Sequence, residues 1–63
     1  MYSDKINLAI RECLDSCCSA PAPLRELVLF AEELASDADW TNDEVAEVTR
    51  QVFPILFRMS EVP

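Results

Sequence analysis

The sequence predicts an all-α fold of three short helices, completed into a larger helical bundle by dimerisation. Three observations predict it. Glycine is absent from all 63 residues, which removes the commonest residue for tight hairpin turns and left-handed helix ends. Apolar residues recur at spacings of three and four and never alternate for long, so their period is that of helices rather than strands. Prolines and one strong capping signal then divide the chain into segments of helix length. No internal repeat or low-complexity segment is visible, and the whole chain reads as one small domain.

The first helix is expected over 4–18, capped by Ser3 or Asp4. At about 100° per residue, Ile6, Ala9, Ile10, Cys13 and Cys17 form one stripe. Asp4, Arg11, Glu12 and Asp15 fall on the other side, and Leu8 projects among them. The segment 19–23, SAPAP, is a proline-containing turn, because Ala20 and Ala22 each precede a proline and are pushed out of the helical region. Pro23 suits a first helical position, where its missing N–H is not needed. A second helix follows over 23–38. Its broad apolar face is Leu24, Leu27, Val28, Ala31, Leu34, Ala35 and Ala38, opposite Arg25, Glu32, Glu33 and Ser36, with Leu29 misplaced among the polar residues and Phe30 at the stripe's edge.

An acidic linker at 37–41 leads to the strongest local signal in the chain. Thr41 and Glu44 form a capping box in which each side chain bonds the other's backbone N–H, and Trp40 can staple onto Val45. The third helix is expected over 42–60, with Val45, Val48, Thr49, Val52, Leu56 and Met59 on one face. Pro54 lies on the opposite, outer face, where its clash with the Arg50 carbonyl predicts a kink or a break near 51–53. Beyond it, Ile55, Leu56, Phe57 and Met59 occupy most of the helix circumference, and residues 61–63 are expected to fray.

Sixty-three residues bury only about 60% of the surface their unfolded chain exposes, and such small scaffolds are usually completed by a disulfide framework, a metal or a second subunit. Three cysteines within six positions, Cys13, Cys17 and Cys18, cannot tie distant parts of the chain together. With no histidine, three thiols would need a carboxylate to complete a zinc site, so no metal and no other cofactor are expected. The apolar fraction, 51%, exceeds what a three-helix core of this size hides. Self-association is the remaining route, and a homodimer is expected.

A net charge of −7 repels phosphate backbones and anionic lipid heads, so neither nucleic acid nor a membrane is an expected partner. No apolar run reaches the ~18 residues of a membrane span, and without a secretory signal the expected location is cytoplasmic. Catalysis has little to stand on: there is no histidine to act as a base near neutral pH, no nucleophile elbow and no phosphate-cradling loop. Asp37, Asp39, Thr41 and Asp43 alternate as in a calcium loop, but the sixth position is Asn42 where glycine belongs, and the twelfth is Val48 where a bidentate Glu belongs. Cys13 and Cys17 share a helix face and read as small buried core residues, with Cys18 turned away from them.

The residues singled out for binding are Leu8, Leu29, Phe53, Leu56, Phe57 and Met59, because apolar side chains outside a core stripe mark an interface when they form a patch. The expected function is therefore a small acidic protein–protein interaction module, non-enzymatic and self-associating through apolar helix faces. A second reading is an acidic inhibitor or nucleic-acid mimic that presents Glu26, Glu32, Glu33, Asp37, Asp39 and Asp43 to a basic groove. A third is a thiol or metal sensor built on Cys13, Cys17 and Cys18.

Overall fold

The computed structural model describes residues 3 to 60, and the expected fraying of 61–63 lies outside the described residues. Three helices follow one another: α1 (Asp4–Cys18), α2 (Pro23–Ser36) and α3 (Asn42–Ser60). No strand occurs among the described residues, and the all-α expectation holds. Each helix packs against the other two.

Local chemistry sets the boundaries. The Ser3 hydroxyl accepts from the Ile6 N–H at 3.4 Å, so Ser3 rather than Asp4 caps α1. Pro23 opens α2, whose cap position, Ala22, has no side chain able to accept. Thr41 and Glu44 form the reciprocal box at α3: Glu44 Oε1 accepts from the Thr41 N–H at 2.9 Å, and Thr41 Oγ1 accepts from the Glu44 N–H at 3.2 Å.

One boundary needs correction, and one alternative left open by the sequence is narrowed. Helix α2 ends at Ser36, two residues early, because Asp37 takes an extended conformation and its carboxylate accepts from the Asp39 N–H at 2.9 Å. That local turn competes with continued helix, as aspartates do outside helix interiors. Of the kink or break expected at Pro54, the break is absent: α3 runs continuously over the expected 42–60, from Asn42 to Ser60, with the proline exposed on its outer face.

The core is small. Ile6, Ala9, Cys13 and Cys17 come from α1, Leu27 alone from α2, and Val48, Val52 and Leu56 from α3. Ile10, Leu14, Leu24, Phe30, Leu34 and Trp40 pack half-buried around it. The broad apolar face expected of α2 is thus mostly not interior: Val28 and Ala35 are exposed, and so is Ala38 beyond the helix end. The described Cα trace extends 37 × 24 × 16 Å, and in a body of only three helices each keeps an outer side facing solvent.

Lys5 joins the start of α1 to the α2–α3 linker. Its Nζ lies 4.4 Å from the Trp40 ring centroid and 3.2 Å from Glu44 Oε1, and it donates to the Asp39 carbonyl.

Candidate functional site

The apolar residues left outside the core are not spread evenly. Between α2 and α3 runs a groove of about 410 Å³. Its α2 wall is Leu24, Val28, Ala31 and Ala35, its α3 wall is Val45, Thr49 and Phe53, and among the described residues Glu32 is its one charged lining residue. The helix period explains the walls: Val45, Thr49 and Phe53 stand four apart on α3, next to the Val48, Val52 and Leu56 row that fills the core. The Thr49 hydroxyl donates to the Val45 carbonyl at 2.9 Å, so the groove holds no unsatisfied hydroxyl there. Phe53 is 46% exposed and its ring stacks on Phe57, with centroids 5.6 Å apart.

The six residues singled out from the sequence separate into different places. Phe53 lines the groove, and Phe57, outside that lining, adjoins it through its stack on Phe53. Leu56 is 0% exposed and packs the chain's own core, so it cannot be offered to a partner. It lies within one turn of Val52 on the buried row, and the apolar surroundings that made it look like an interface residue are interior ones. Met59 is on another side of α3, with its Sδ 3.9 Å from the Cys18 Sγ of α1. Leu8 is exposed in a shallow depression with Asp4, Asn7 and Arg11. Leu29 is exposed beside Glu26 and Glu33, facing Ser16 and Cys17 of α1. Val28, at 56% the most exposed large apolar residue described, belongs to the broad apolar face of α2 but not to its buried part. The signal that marks it is its turn of about 100° from Leu27, which carries it off the buried line toward Glu32.

The other constellations resolve as follows. Cys13 and Cys17 are buried with their sulfurs 3.6 Å apart, whereas Cys18 is exposed. Burial foremost, with the neighbouring Cys17 thiol, pushes the Cys13 pKa up to about 12. This thiol is therefore protonated and unreactive at neutral pH. Among the described residues, no three His, Cys, Asp or Glu side chains converge as a metal site. The acidic residues are divided too. Glu26 and Glu33 lie on the α1 side of α2, Glu32 on the groove side, and Asp37, Asp39 and Asp43 around the linker. Among the described residues, no helix is long and apolar enough to cross a membrane.

No protein-family model, curated protein or solved structure matches this chain.

Proposed function

We propose that this chain is a small, non-enzymatic interaction module that associates with a second copy of itself through the α2/α3 face. The observation that carries the reading is the groove, which sets exposed Val28 and Phe53 on one contiguous apolar surface. That surface has both a projection and a recess: the stacked Phe53 and Phe57 rings stand beside a wall whose small side chains are Ala31 and Ala35. A two-fold axis sets the projection of each copy against the recess of the other, the isologous arrangement of most dimers.

Fully burying one large apolar side chain is worth about 1.5–3 kcal/mol, and about half of that remains to be gained at Val28 and Phe53 of each copy, which are 56% and 46% exposed. A core of this size alone rarely supplies more than about 3–5 kcal/mol, so the contact is comparable with the stability of the monomer. A reducing, cytoplasmic setting suits the chain, because Cys13 and Cys17 sit in the helical core as free thiols that act as apolar filling.

Sedimentation equilibrium across the micromolar range tests the reading. The wild-type chain shifts from monomer to dimer, and Phe53→Asp, which places a charge in a dry contact, stays monomeric at every concentration. A wild-type chain that remains monomeric throughout removes the proposal.

A further inference from the structure

Arg25 is the only cation in α2, and its own helix gives it no acid to pair with. Side chains three and four positions apart are the ones that meet on a helix. For Arg25 these are Val28 and Leu29 on one side and Ala22 and Pro21 on the other. Glu32 is placed the same way, with Leu29, Val28, Ala35 and Ser36 as its neighbours. Both residues are exposed, and among the described residues neither takes part in an ion pair. Seven positions separate them, so they stand within about 20° of one line along the helix. Their midpoint falls between Val28 and Leu29, both exposed. The other two acids of α2, Glu26 and Glu33, are on the side toward α1.

We infer that α2 pairs antiparallel with α2 of a second copy, about a two-fold axis between Val28 and Leu29, so that Arg25 of each chain faces the partner's Glu32. The inference rests on the self-association reading and adds its register. Antiparallel pairing about that point matches each residue with one equally far on the other side. Val28 then meets the partner's Leu29, and the opposite charges stand about 5 Å along the axis on either side, at 1.5 Å per residue. A parallel pairing would set Arg25 against Arg25 and Glu32 against Glu32. Like charges opposed across a contact are unfavourable, so the sign pattern selects the antiparallel form. Val28 also forms the groove edge, so a helix laid along this line covers the groove mouth from the α2 side. Leu29, which a monomer gives no covering partner, is accounted for by the same contact.

The test uses two charge reversals, R25E and E32R, measured alone and as an equimolar mixture by sedimentation equilibrium at physiological ionic strength. Each reversal suits the α2 dipole, with an acid added near the N-terminal end and a base toward the C-terminal end. A weaker dimer is therefore not a weaker helix. Each variant alone opposes like charges twice per dimer, and its dissociation constant rises about tenfold. In the mixture every introduced charge meets its opposite, and a heterodimer forms with an affinity within about threefold of wild type. The E32R variant separates this from general repulsion: it makes the chain less negative, so overall charge alone would tighten its homodimer. If E32R tightens the dimer, or the mixture binds no better than its components, the antiparallel register is wrong while self-association stands. A wild-type chain that never dimerises overturns both.

Discussion

At the scale of single residues, one carboxylate ties two elements together. Glu44 Oε1 accepts from the Thr41 N–H at 2.9 Å and from Lys5 Nζ at 3.2 Å, while Lys5 stacks on Trp40. The Thr41 backbone N–H first, and Lys5 second, hold the Glu44 carboxyl below the usual carboxylate range. A depressed carboxyl contributes stability above its unfolded pKa and loses it as pH falls through the folded one, so acid loosens this corner. Thr41→Ala removes the cap and costs about 1 kcal/mol in chemical denaturation at neutral pH. An unchanged midpoint would mean that the box is not what starts α3. Cys13 titrates at the other extreme, since burial raises its pKa from 9.0 to about 12. A raised pKa contributes stability below the unfolded value, and that stability is lost as pH rises toward the folded one. Between pH 9.0 and about 12, wild-type stability should therefore fall more steeply than that of Cys13→Ala. Equal slopes in denaturation curves collected across that range would remove Cys13 as the cause.

The elements show which parts of the structure a sequence can carry. Capping is local chemistry, so Thr41, Glu44 and Pro23 placed two helix starts correctly. Period is also local, so Val48, Val52 and Leu56 were legible as one α3 face. What the period cannot say is how much of an apolar face its neighbours cover. Helix α2 has six apolar positions on a broad arc but buries only Leu27, because α1 and α3 reach it from limited angles. Val28 and Ala35 are consequently groove, and Leu56, apolar on all sides in sequence, is core. Lys5 was missed altogether, since its partners at Asp39, Trp40 and Glu44 are more than thirty residues away. The Pro54 break also failed to appear: an exposed proline on the outer face removes one bond without ending the helix. Because α3 is continuous there, Pro54→Ala restores a backbone donor at no packing cost. It should raise unfolding stability by roughly 1–3 kcal/mol. A variant no more stable than wild type would mean that the helix relies on the bend the proline imposes.

For the whole molecule, the question is whether so small a core stands alone. Among the described residues eight form the core, and Val28, Leu29 and Phe53 are each left close to half exposed or more. In a chain whose folding and association are coupled, unfolding is also dissociation, and mass action makes the melting temperature depend on concentration. A tenfold increase in protein adds about 1.4 kcal/mol to the dimer, which for two chains of this length amounts to a rise of a few degrees. Phe53→Asp should flatten that dependence and lower the melting temperature to the monomer's, since Phe53 is in the groove itself. Phe57→Asp should act in the same direction but less, because Phe57 contributes through its stack on Phe53. Leu8→Asp is the control: Leu8 is equally exposed but sits in a separate depression with Asp4, Asn7 and Arg11, so the full concentration dependence should survive. Calorimetry on the four chains distinguishes a located interface from general stickiness. If Leu8→Asp flattens the dependence as much as Phe53→Asp does, apolar exposure anywhere on the surface drives association, and the groove between α2 and α3 is not its site.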